Sequence, residues 1–169
     1  DRVLTVNPHE PAVCEFFTVP AAAVDAAARL AAPLPALDDP LFLAPDEAAT
    51  PLARTVRDAA GGGAVDHFEK SRDYDTGAVS VAGAADAAGR DVVVVDDIVA
   101  TGSTMAEAVG ALADPARVFV ACVHPLLVGN ARARLARAGV DRVVGTDTVE
   151  GAASRVSAAP AVADRLQQA

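Results

Sequence analysis

The longest unbroken apolar block of the chain's centre is Val92-Val93-Val94-Val95, closed by the acidic pair Asp96-Asp97. Four β-branched residues in a row predict a strand buried on both faces of a parallel sheet. The loop Ile98-Val99-Ala100-Thr101-Gly102-Ser103-Thr104 follows, and Met105, Val109 and Leu112 then recur at helical spacing. The order is therefore strand, acidic pair, loop, helix. The remaining pattern is of the same kind. Strands are predicted over 1–6, 41–46, 65–70, 79–81, 117–123 and 141–148, each containing Val, Leu, Ile or Phe. Helices are predicted from Pro20 to about Leu30, over 47–60 up to the stop at Gly61-Gly62-Gly63, over 130–138 up to Gly139, and at the end around Val162 and Leu166. Prolines make 7–11 a loop, 73–77 is polar, and small residues connect 83–89. Alternating strands and helices give an α/β fold, a doubly wound and mostly parallel sheet, in one domain over 1–169.

Composition narrows the class. Hydrophobic residues make up 52% of 169 residues, enough for a full core and too many for a disordered chain. No apolar run reaches the ~18 residues of a membrane span. The net charge of -9 argues against nucleic acid and anionic membranes as partners. Cys14 and Cys122 stand in apolar surroundings at no metal-binding spacing, which is expected of reduced thiols in a cytoplasmic protein. Among fourteen Lys and Arg residues the only lysine is Lys70. A chain that almost excludes lysine makes the one it keeps a candidate for chemistry. The Asp-, Ala- and Arg-rich makeup is similar to that of proteins from salt-adapted organisms.

The candidate chemistry sits beyond the central strand. In open α/β sheets ligands bind past the carboxyl ends of strands. Thr101, Gly102, Ser103 and Thr104 offer backbone N–H groups and three hydroxyls to an anion at a helix start. Asp96 and Asp97 would repel a phosphate at close range, so sugar hydroxyls or Mg²⁺ suit them better. A phosphorylated sugar satisfies both halves; a solvated acidic turn with a Ser/Thr cap is the alternative. Lys70 and Arg72, two apart in extended chain, point the same way and can neutralise a phosphate in transfer, or form a solvated basic pair. His9 is open to a metal or nucleotide role or to none. Asp46, at a strand's carboxyl end, is open to a metal or to capping a helix. His67 and His124 are expected to be structural, with substrate contact as the second reading for His124.

The run Val92 to Thr104 closely resembles the ribose-phosphate-binding signature of the phosphoribosyltransferase-type fold. That signature is shared by phosphoribosyltransferases and by ribose-phosphate diphosphokinases. Three further segments resemble the diphosphokinases: His9 before Phe16-Phe17, Lys70-Ser71-Arg72, and the C-terminal run from His124 through Thr146-Asp147-Thr148. The resemblance covers essentially the whole chain but only the C-terminal portion of that family. It implies an N-terminal domain not represented here and, with the charge makeup, a salt-adapted archaeon. It also implies transfer of diphosphate from ATP to ribose 5-phosphate with Mg²⁺ as cofactor, in a cytoplasmic homo-oligomer serving nucleotide biosynthesis. Lys70 and Arg72 would be catalytic. Arg72, Asp96, Asp97 and residues Ala100, Thr101, Gly102, Ser103 and Thr104 would bind ribose 5-phosphate. His9 and Asp46 would hold the metal. The chain departs from the family pattern at Asn7, Glu15 and Ala48. A salvage phosphoribosyltransferase and a non-catalytic sugar-phosphate-binding relative remain alternatives.

Overall fold

A computed structural model of the chain describes residues 1–72, 79–82 and 86–168, and side chains other than those of 69–85. The strands in chain order are β1 (Val3–Val6), β2 (Ala21–Val24), β3 (Leu41–Ala44), β4 (Ala64–His67), β5 (Glu69–Arg72), β6 (Val79–Ala82), β7 (Asp91–Ile98), β8 (Arg117–His124), β9 (Arg142–Thr146) and β10 (Ser154–Val156). The α-helices are α1 (Thr50–Ala59), α2 (Ser103–Gly110), α3 (Ala131–Arg137) and α4 (Ala159–Gln167).

Six strands form the main sheet in the order β10-β9-β8-β7-β3-β4, every neighbouring pair parallel. The valine run is the reason. Val92 and Val94 join Leu41, Leu43, Val118, Val120, Met105 and Leu135 on one face, while Val93 and Val95 join Phe42, Phe119, Ala121, Leu30 and Val56 on the other. Period-two alternation sends neighbouring side chains to opposite faces, so a strand covered on both must be apolar at every position. The helix α1 supplies Ala53 and Val56 to one face, and α2 supplies Met105, Ala108 and Val109 to the other. The doubly wound reading holds.

Two elements differ from expectation. The alanine-rich stretch after Pro20 is not a helix. It is the strand β2, paired in parallel with β1 from Val3↔Ala21 to Val6↔Val24, followed by a 3-10 turn at Ala27–Ala31. Alanine's helix preference is small per residue, and a parallel partner for β1 outweighs it. The strand expected over 65–70 is two: β4 stays in the main sheet, and β5 leaves it to pair antiparallel with β6. No helix among the described residues is long and apolar enough to cross a membrane.

Candidate functional site

The strands β3 and β7 lie side by side, yet the chain runs on from β3 to β4 and from β7 to β8, on opposite sides of that pair. A crevice opens at such a reversal, beyond the carboxyl ends. Asp46 follows β3 there, and Asp96 and Asp97 stand in the last residues of β7. The loop after β1 brings Asn7, Pro8 and His9 to the same place. Together with Ala48 and residues 98–105 they line a cavity of about 710 Å³.

Three carboxyl groups, those of Asp46, Asp96 and Asp97, and the His9 imidazole set its electrostatics. Burial pushes the Asp96 carboxyl up to about 7, and the negative charges of Asp97 and Asp46 add to the effect. Asp96 also accepts a hydrogen bond from the Asp97 backbone N–H at 2.9 Å. His9 Nδ1 lies 2.8 Å from Asp97 Oδ2, joining residues 88 apart in sequence. That hydrogen bond, and the carboxylate's charge, raise the His9 pKa. With its Nδ1–H donated to the carboxylate, the neutral ring keeps Nε2 as its lone-pair nitrogen, the arrangement in which a carboxylate orients a histidine ligand. Asp46 caps the turn at Glu47–Ala49 through Ala49 N–H at 3.3 Å, so the cap and the cavity wall are one residue. Asn7 turns away from metal binding. Its amide donates to Asp25 Oδ1 at 2.8 Å and accepts from Ala26 N–H at 2.7 Å, fixing a backbone with φ +36°.

The loop from Ala100 to Thr104 closes the cavity's other side. Gly102 has φ +70° and caps α2, and a Cβ on it would meet Leu135 Cγ at 3.2 Å. Only glycine fits there without strain. Thr101 Oγ1 and Ser103 Oγ sit 2.9 Å apart, a hydroxyl pair on the cavity lining.

Of the residues singled out from sequence, His9, Asp46, Asp96, Asp97 and Ala100 through Thr104 are thus brought together. Lys70 and Arg72 lie on β5, whose backbone follows directly from β4; their side chains lie outside the described residues, as does the polar loop expected at 73–77. His67 ends β4, half-buried beside Asp66. His124 is structural. Its Nε2 donates to the carbonyls of Val6 at 3.0 Å and Asn7 at 3.1 Å, and Nδ1 lies 2.8 Å from Thr148 Oγ1. It thereby ties the His9 loop to the ends of β8 and β9. No sequence signal marked this tie, since it links segments more than a hundred residues apart.

Comparison with known proteins bears on the site. The family described as "Phosphoribosyl transferase domain" matches residues 21–158. A protein of Halobacterium salinarum named ribose-phosphate pyrophosphokinase is 65% identical over 167 residues, covering 98% of this chain and 59% of that protein. One of the same name from Methanosarcina mazei is 44% identical, covering 98% of this chain and 57% of its own length. The chain therefore spans rather more than half the length of the curated relatives it matches. The crystal structure of phosphoribosylpyrophosphate synthetase from Mycobacterium smegmatis superposes with a TM-score of 0.73 at 25% identity, over 99% of this chain and 58% of that one.

Proposed function

Because this chain belongs to the phosphoribosyl transferase domain family, we propose that its cavity is the ribose-phosphate side of a ribose-phosphate diphosphokinase site. The whole protein would transfer diphosphate from ATP to the anomeric hydroxyl of ribose 5-phosphate, yielding phosphoribosyl diphosphate and AMP for nucleotide biosynthesis. One observation carries the reading: the acidic side chains and the 100–104 loop, with its hydroxyls and backbone N–H groups, line one cavity assembled from the loop after β1 and the ends of β3 and β7. A sugar phosphate matches that polarity. Asp96 and Asp97 would accept hydrogen bonds from the ribose hydroxyls, and residues 100–104 would bind the 5-phosphate. The 65% identity to a protein named for this reaction supports it.

The donor set fits Mg²⁺ of one particular kind. No group of three or more His, Cys, Asp or Glu side chains among the described residues forms a ready metal cage. Magnesium commonly takes one or two protein ligands and completes its shell with phosphate oxygens and water. His9 and Asp46 would hold it on those terms, and when bound it supplies counter-charge to the transferring group. Burial raises the Asp96 carboxyl pKa and the charges of Asp97 and Asp46 add to it, an environment that a cation arriving with substrate would relieve. Lys70 and Arg72 would neutralise the diphosphoryl group in flight, so catalysis is positioning plus electrostatics. The same reading makes the whole protein a cytoplasmic homo-oligomer that takes ATP and ribose 5-phosphate.

The test is AMP formation by the whole protein from ATP, ribose 5-phosphate and Mg²⁺. AMP that requires both substrates is expected. Turnover of a nucleobase with phosphoribosyl diphosphate, without any need for ATP, would instead make the protein a transferase. Ribose 5-phosphate binding with neither activity would make it a regulatory relative. In an active protein Lys70→Ala should lower kcat by about 10³-fold while ribose 5-phosphate binding persists. Undiminished turnover would remove Lys70 from the chemistry.

A further inference from the structure

Three consecutive carbonyls of the sugar-phosphate loop are engaged from behind. Val99 C=O accepts from the Leu127 N–H at 2.9 Å, and Ala100 C=O from the Val128 N–H at 2.9 Å. Thr101 C=O accepts from Arg134 Nη1, also at 2.9 Å. A trans peptide sets its N–H opposite to its C=O. Carbonyls drawn toward residues 127–134 therefore turn the N–H groups of Ala100, Thr101 and Gly102 the other way. Among the described residues those three N–H groups meet no protein acceptor. Successive N–H groups left facing one side form an anion-binding concavity.

Holding this wall is strained work for the chain. Leu127 sits at φ +45°, a left-handed backbone that a residue with a side chain adopts only when its surroundings enforce it. Two of the three donors are backbone groups. The third is a side chain, so it is the one that substitution can remove.

We propose that Arg134 is a positioning residue for phosphate binding. From α3 it fixes the Thr101–Gly102 peptide so that the Gly102 N–H meets the ligand, and its charge deepens that peptide's dipole without the guanidinium touching the ligand. The inference rests on the loop's reading as the 5-phosphate site. It differs from that reading in assigning a role outside the loop, on the far side of the peptide.

The test is titration calorimetry of ribose 5-phosphate with the whole protein, its Arg134→Met, Arg134→Lys and Arg137→Met variants, and thermal melting of each. Arg134→Met keeps the aliphatic stem and loses the donor. It should weaken binding about tenfold at a near-unchanged melting temperature. Arg134→Lys, whose ammonium can still donate to the carbonyl, should stay within about threefold of wild type. Arg137→Met removes the same charge from an exposed position of α3 and should change nothing. The Gly102 amide resonance should shift on adding ribose 5-phosphate to wild type and lose most of that shift in Arg134→Met, which a merely structural role would not produce. Wild-type affinity in a folded Arg134→Met overturns the proposal, as does an equal loss in Arg137→Met. Should Arg134→Met fail to fold, the lysine variant decides: retained affinity supports the role, a tenfold loss ends it. No binding by the wild type defeats the functional reading itself and this inference with it, a result distinct from a loss confined to Arg134.

Discussion

The strand β7 carries a carboxylate at each end, and the two ends treat it in opposite ways. At the amino end Asp91 is 2% exposed and fully partnered. It accepts from the Asp38 N–H at 2.6 Å, from Arg117 Nε at 2.8 Å, and from Arg117 Nη2. Arg117 in turn donates to the Ala36 carbonyl and lies over the Phe119 ring. The Arg117 hydrogen bond holds the Asp91 carboxyl below the usual carboxylate range. At the carboxyl end no arginine donates to Asp96 among the described residues, and its pKa is driven upward instead. One chemical group on one strand thus serves two purposes. Where its charge is met by protein, it secures the fold. Where burial and neighbouring carboxylates oppose the charge, the carboxyl's pKa is raised, as is common at functional sites.

The contrast is broken most severely at the amino end. Asp91→Ala leaves the Arg117 guanidinium and the Asp38 N–H without their acceptor, and should cost about 2–3 kcal/mol. For a chain of this size that is a fall in Tm of roughly 5–10 °C, read by calorimetry, with ribose 5-phosphate affinity of the folded fraction unchanged. An affinity that fell in step would join the two ends into one unit. Gly102→Ala tests the carboxyl end by shape instead of charge. The left-handed φ and the Leu135 contact should together cost about 1–2 kcal/mol and weaken ribose 5-phosphate binding more than tenfold. Wild-type binding in that variant would mean that the loop does not approach its ligand closely.

The pH dependence separates the ends with opposite signs. Asp91 has a depressed pKa, so its contribution is present above the unfolded value near ~3.9 and is lost as pH falls through the folded one. Asp96 has a pKa raised to about 7, so the cost of ionising it in place is full above that value and fades as pH falls toward ~4. Without divalent cations, Asp96→Asn should therefore stabilise the protein at pH 8 by about 1 kcal/mol, or a Tm rise of roughly 2–4 °C, and by little at pH 5. Melting curves at the two pH values check this. A variant less stable than wild type at pH 8 would show that the carboxylate is already compensated.

How far all this was legible in the sequence depended on how local it was. The segment Val92 to Thr104 is contiguous, and its burial pattern, acids and loop could be read without any tertiary contact. The β2 strand could not, because alanines carry no periodicity and only the partner β1 makes Ala21–Val24 extended. The reversal between β3 and β7 is invisible for the same reason: strand order is set by pairing, not by any one stretch. His9 and Asp46 were open to several roles on their own residues and gained a metal role only through resemblance; the His9–Asp97 contact spans 88 residues. The departure at Asn7 found its explanation only in three dimensions, where the amide is used on Asp25 and Ala26. Arg134 carried no signal in the sequence, because its bond to Thr101 crosses 33 residues.

The parallel ribbon of β1 and β2 lies outside the main sheet; the His124 bonds to Val6 and Asn7, the His9–Asp97 contact and Val6 packed against the core join it to the rest of the fold. The loop of residues 100–104, by contrast, is continuous with the central strand. The two halves of the cavity therefore belong to units of different opening free energy. Amide hydrogens of Val3–Val6 should exchange with solvent through local opening, well before those of Val92–Val95, which need global unfolding. In such an opened molecule His9 is withdrawn while the loop of residues 100–104 persists. On the proposed function, moderate heat or denaturant should then silence the cation-dependent step first and leave sugar-phosphate binding as the last property to go.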